Sequence, residues 1–263
     1  MAQLDSIELV KSVEQRLVAL LHTIGHLGAV NPIEHRRLER DILTVEGSRA
    51  ADAHLLRSIL ASLEGDIDEA ERWIQNAGLL NHPGANQARL FTLANLGYAT
   101  RGLAHVRQSM RAGMADVSPM FGAALAVGAF TTIARIVDET PAASQVLAAI
   151  ANPSIEVARR GAKALALAGC TEDELAHVLD VAGEVLRERR LLWLDPQPGF
   201  IVLDGTEGDG GTPGIHVSYR VDVSPHEAAE MASEVADRLA ERDLMPVALS
   251  VSFIGSRVER LAA

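Results

Sequence analysis

The sequence predicts a mainly α protein: an α-solenoid-like stack of helical hairpins over residues 1–190, followed by a small α+β module of ββαβ order over residues 191–263. Three observations carry this expectation. The chain is 48% hydrophobic but only 3% aromatic, so its interior is built from Ala, Leu, Val and Ile, which suits close-packed helices better than an aromatic-rich sandwich. Before residue 190, segments of helical length carry apolar residues every three or four positions, between Pro, Gly and capping residues. After Arg190 the apolar period shortens to two. A chain of 263 residues accommodates either one elongated domain with an appendage or two compact ones.

The first stretch, MAQLDSIELVKSVEQRLVALL, distributes acids and bases among its apolar positions. It reads as an amphipathic helix rather than an export signal, which needs a basic start and then an apolar block. Asn31-Pro32 marks the next helix, because Pro has its dihedral preset and lacks only an N–H that would be unpaired there, while Asn caps the free amides. Ser118-Pro119, Thr140-Pro141, Asn152-Pro153 and Ser224-Pro225 repeat the signal. After Thr171 and Ser224, Glu174 and Glu227 stand three residues past the cap and are expected to reach back to its N–H; Asp66 and Glu69 form a looser version. Leu56, Ile59, Leu60 and Leu63, then Ala70, Trp73, Ile74 and Ala77, define two successive amphipathic helices. Roughly nine or ten helices joined by short turns are expected before residue 190. One segment, VSPMFGAALAVGAFTTIA from Val117 to Ala134, is uncharged over nearly a membrane-spanning length. Its Pro, Ser, Thr and Gly content predicts a buried central helix instead.

In the tail, Phe200 to Leu203 forms a short apolar run, and Ile215, Val217, Tyr219, Val221 and Val223 alternate along one face. A helix from Pro225 to about Asp243 is followed by a second alternation through Val247, Leu249, Val251 and Phe253, with LLWL (191–194) as an additional edge strand. So small a sheet leaves a face or an edge for the helical region or for a second chain.

Gly65, Ala70, Ile74 and Ala77 are spaced as in the second half of a tetratricopeptide repeat, where a small turn residue lets antiparallel helices approach. About 34 residues after Ala70, one repeat length, comes Ala104, with Leu93, Leu96 and Leu103 in similar positions and Ala99 in place of the turn Gly. Asn152 to Gly169 resembles a HEAT-type helix through Pro153, Val157, Arg159 or Arg160, Ala162, Ala164, Leu165 and Gly169. The resemblance covers parts of the helical region. It implies protein or peptide binding on a concave helical face and carries over no catalytic residue.

No coherent active site, cofactor site or metal site is expected. His22 and His26 share a helix face and His35 could join them, but no acidic third ligand stands at a diagnostic spacing. The single Cys170 excludes an internal disulfide and a cysteine-cluster metal site; although it precedes a helix N-terminus, where a thiol pKa can fall, it reads as structural. Gly205 to Gly214 joins two strands, and Glu207 and Asp209 would repel a phosphate there, so the loop reads as a mobile hairpin connection. Asp204, Glu207 and Asp209 lack calcium-loop spacing, and nothing sets the separation of Asp204 from Asp222. Arg36, Arg37 and Arg40, like Arg187, Arg189 and Arg190, are interleaved with glutamates and read as solvated faces with internal ion pairs.

The expected function is a cytoplasmic, non-enzymatic adaptor or chaperone that binds a protein or peptide, with Trp73, Phe91, Tyr98 and Arg101 as candidate contact residues; each could equally be core or ordinary surface, and core burial is the expected fate of Trp73 and Phe91. A net charge of -11 argues against nucleic acid, no membrane partner is expected, and a homodimer could form through the C-terminal module. The alternatives are an enzyme using acids of the 204–222 region and an acidic immunity or antitoxin-type protein. Residues 1–190 are expected to fold without the tail, since the contacts of a stack run between neighbours.

Overall fold

The computed structural model describes residues 2–111, 120–139, 153–195, 198–203, 212–244 and 248–257. Among these are eleven helices and three strands. Helices α1 (Ala2–Thr23), α2 (Pro32–Glu46), α3 (Ala50–Glu64), α4 (Ile67–Leu79), α5 (Ala85–Asn95) and α6 (Ala99–Arg111) form three successive hairpins. They are followed by α7 (Phe121–Ala126), α8 (Phe130–Glu139), α9 (Pro153–Ala168) and α10 (Glu172–Glu188). The C-terminal module is β1 (Gly199–Leu203), β2 (Gly214–Val221), α11 (Pro225–Glu241) and β3 (Leu249–Gly255). The architecture is mainly α with a small α+β module.

Left-handed glycines close the hairpins. Gly65, Gly97 and Gly128 have φ of 82°, 67° and 85° and end the turns into α4, α6 and α8. Gly97 lies 32 residues beyond Gly65, so the 34-residue alignment is two residues out of phase. Ala104, the expected counterpart of Ala70, is exposed. Counting from the turn glycine instead places Gly102, Val106 and Ser109 opposite Ala70, Ile74 and Ala77, and all six are buried. Ala99 follows the turn Gly97 rather than replacing it.

Several caps form as expected. Asn31 and Asp66 accept from the Ile33 and Glu69 amides at 2.9 Å, and Thr171 and Glu174 complete a reciprocal box. Ser224 accepts from the Glu227 amide, but the Glu227 carboxylate lies 3.8 Å from Arg189 rather than at the cap. The Glu69 carboxylate likewise accepts from Trp73 Nε1 and Arg72. Ser118-Pro119, Thr140-Pro141 and Asn152 lie outside the described residues, while Pro153 begins α9. From Met120 onward the uncharged stretch is mostly buried, as expected, but it is two helices broken at Gly128, not one; Val117 to Pro119 lie outside the described residues. Among the described residues, no helix is long and apolar enough to cross a membrane.

In the module, β2 pairs antiparallel with β1 and parallel with β3, the latter through the α11 crossover. Ile215, Val217, Tyr219 and Val221 are buried on the inner face, as their alternation predicts. That face packs on α9, α10 and α11. The outer face carries exposed Ile201, Leu203 and Ile254. Residues Leu191 to Leu194 are a strap rather than an edge strand: Leu191 bridges His26, and Trp193 bridges Val221. Leu192 belongs to the apolar cluster of α1 to α3, whereas Leu191 and Trp193 belong to the cluster of α5 to α11 and the sheet. Alternate side chains of one extended segment thus join both cores. The larger cluster runs continuously across residue 190.

Arg187, Arg189 and Arg190 are not a self-paired solvated face. Arg187 donates to the carbonyls of Leu96 and Gly97 at 2.8 and 2.6 Å, Arg189 to Glu234 at 2.8 Å, and Arg190 to Leu27 O at 3.2 Å. The end of α10 sits against the turns after α1 and α5, whose carbonyls accept from Arg190 and Arg187.

His105 on α6 is 6% exposed, and its Nε2 lies 2.9 Å from Asn86 O. A carbonyl can only accept, so Nε2 carries the proton and Nδ1 is left buried without a hydrogen-bond partner. Burial pushes its pKa below the ordinary 6.5, against an opposing contribution from the Asn86 carbonyl. Below pH 6.5 the unfolded chain therefore binds a proton that the folded chain resists. Stability should fall on acidification through this range by at most about 1.4 kcal/mol per pH unit from this residue. Urea melts from pH 7 to 5 check this, and a slope of equal size in His105→Gln would remove His105 as its source.

Candidate functional site

The odd-numbered helices of the first three hairpins lie side by side, α1 against α3 and α3 against α5. Their shared surface forms a groove of about 490 Å³. Each wall is one helical stripe at three- and four-residue spacing: Val10, Glu14, Val18 and Leu21 on α1, and Asp52, Leu55, Ile59 and Ser62 on α3. On α5, Gln87, Phe91 and Asn95 follow the same rule. The floor is apolar and the ends are polar. His82, in the turn before α5, lines one end, and His22 with Asn95 borders a small extension toward Trp193 and Asp195 at the other.

The polar end near α3 is internally satisfied. Asp52 accepts from Arg49 Nε at 2.8 Å and faces His82 Nε2 at 3.4 Å. His82 Nδ1 accepts from the Gly84 amide at 3.0 Å, so the neutral ring carries its proton on Nε2, toward Asp52. By contrast, Glu14, His22, Gln87 and Asn95 have no hydrogen-bond partner among the described residues. Glu14 is exposed, and the two amides are half-buried. Such a surface can take up apolar side chains between unpaired polar groups; no arrangement in it resembles a nucleophile with its base.

Of the four expected contact residues, only Phe91 lines the groove. Trp73 stacks on His54 at 5.0 Å between the guanidinium groups of Arg57 and Arg72. Tyr98 is sandwiched by Arg101 and Arg187 at 5.0 and 4.0 Å, and Arg101 also pairs with Glu71. These stacks hold adjacent helices together. Glu14, Asp52, His82, Gln87 and Asn95 also line the groove, and the α1 stripe from Val10 to Leu21 is readable in the sequence as a helix face.

The other candidates are dispersed. His26 lies 3.5 Å from Asp222 and accepts from Arg257 at 2.7 Å, while His35 meets Glu64 at 2.7 Å and His22 stands apart in the groove. Among the described residues, no three His, Cys, Asp or Glu side chains are grouped to hold a metal ion. Asp222 is bound at both carboxylate oxygens by Arg257, which holds its pKa below the usual range. Asp204, Glu207 and Asp209 lie outside the described residues. Burial pushes the Cys170 thiol up, with Glu174 adding to the effect, opposite to what a helix N-terminus alone would do. No family model, no curated protein and no solved structure matches this chain.

Proposed function

We propose that the protein is a non-enzymatic adaptor or chaperone that holds a segment of another protein in the groove between α1, α3 and α5. The groove itself carries the reading. It is a concave surface on three adjacent helices, apolar along its floor, with unpaired amides in its α5 wall. The tetratricopeptide-like and HEAT-like patterns of the sequence support the same use of stacked hairpins. A rigid concave face is a ready receptor because little of it must be ordered when a segment binds.

The test is a displayed peptide library selected on the full-length protein, followed by affinity measurements on synthetic winners. Val18 is 38% exposed on the α1 wall and Ala88 is half-buried on α5, so Val18→Trp and Ala88→Trp fill the groove without adding charge. Each should weaken the winners roughly tenfold or more while circular dichroism stays unchanged. Winners that bind both plugged variants as tightly as the parent protein place the binding surface elsewhere.

A further inference from the structure

The chemistry of the occupant can be taken further, on the premise that the groove is the peptide-binding site. We infer that the bound segment is apolar and carries a lysine or arginine whose cation pairs with Glu14. The charged and titratable residues lining the groove are Glu14, His22, Asp52 and His82, with no Lys or Arg among them. Asp52 is already matched by Arg49 and His82. That leaves Glu14 as the groove carboxylate without an ion pair among the described residues; Lys11, one turn before it on α1, makes none with it. Arg16, two residues along α1, is held away by Glu34 and Asp41 at 2.8 and 2.7 Å.

The surroundings of Glu14 favour a long basic side chain. Val10 and Val18 stand one turn to either side of it on the same stripe of α1. The methylene stem of a Lys or Arg can lie on those valines while its charged head reaches the carboxylate and stays partly in water. An acidic segment would instead bring a second anion beside Glu14, with no cation in the lining to offset it. Across the groove, Gln87 and Asn95 are eight residues apart on α5, about 12 Å along the axis. Each offers both a donor and an acceptor, which matches the N–H and C=O of a peptide unit. An extended segment covers that distance in roughly four residues, so its backbone can be held by both amides while its side chains reach the apolar floor and Glu14.

Charge is then a readable property of the occupant. The selected peptides should be enriched in Lys or Arg, and changing that residue to Glu should weaken binding to the full-length protein about tenfold at low salt. The difference should shrink at 0.5 M NaCl. Glu14→Gln should remove most of the preference and Glu14→Lys should reverse it, with both variants folded because the site is exposed. If Lys and Glu versions bind equally and Glu14→Lys changes nothing, while Val18→Trp still abolishes binding, this inference fails and the groove reading stands. If no groove-dependent peptide is recovered, both fail.

Discussion

Replacing Gly183 with alanine should destabilise the protein by about 3 kcal/mol, the upper part of the range for overpacking a close contact. Gly183 sits mid-helix in α10, where alanine would ordinarily improve helix stability by about 1 kcal/mol. Here the turn of the third hairpin lies against it. A Cβ at 183 would stand 2.0 Å from Gly97 O and 2.7 Å from Gly97 C. The turn cannot easily retreat: Gly97 is left-handed, its amide donates to Ala94 O, and its carbonyl accepts from Arg187 Nη1 at 2.6 Å. The clash therefore outweighs the propensity gain, and thermal melts should show a midpoint lower by about 10 °C. Gly169→Ala is the control. Its φ is 67° but nothing lies within 4 Å of the added carbon, so it should cost only about 1 kcal/mol of left-handed strain. A Gly183→Ala protein as stable as the parent would mean that α10 and the turn do not approach so closely.

The second large effect is expected at Glu172, where alanine should cost about 3 kcal/mol. This carboxylate is 7% exposed, yet it accepts from the Thr132 amide at 2.6 Å, from Thr132 Oγ1 at 2.7 Å and from Arg107 Nη2 at 3.1 Å. Thr132 is in the first turn of α8, where an amide has no partner within its own helix. Glu172 thus acts as a cap supplied by α10 and joins α6, α8 and α10 at one point. Its removal strands a buried N–H and leaves Arg107 with Asp173 alone. Glu172→Gln keeps an acceptor oxygen and should lose about half as much. Chemical denaturation of both variants decides it; equal and negligible losses would show that water readily replaces the carboxylate.

Glu172 also shows where reading the chain from its sequence reached its limit. In Thr171-Glu172-Asp173-Glu174 the Thr171–Glu174 box is legible because both partners lie within one turn, and it formed. Glu172 looks like an ordinary acid of a first turn, since its partners Thr132 and Arg107 are 40 and 65 residues away. The contact residues follow the same division. Trp73 and Tyr98 are of the types that dominate interfaces, but each is covered by one arginine close in sequence and one from another helix, Arg72 and Arg57 on Trp73 and Arg101 and Arg187 on Tyr98. The stripe Val10, Glu14, Val18 is visible as a helix face, but whether that face is core, groove or outer wall depends on how α1, α3 and α5 meet.

Properties with a local cause were determined by the sequence itself. The capped helices follow from side chains reaching amides two or three residues on, the strands of the tail from alternation, and the mainly α class from an aliphatic, aromatic-poor composition. The turn glycine Gly65 is legible in the sequence, but the repeat phase is not. The residue aligned with the turn is Ala99, whereas the turn itself is made by Gly97, with φ of 67°. Tertiary structure alone decided that Leu192 and its neighbours Leu191 and Trp193 serve different cores, that Gly183 must lack a Cβ, and that Glu14 is left as an unmatched carboxylate in a groove. The physical reason is range: capping and periodicity act within a turn or two of chain, whereas packing and desolvation depend on neighbours that only the folded chain brings together.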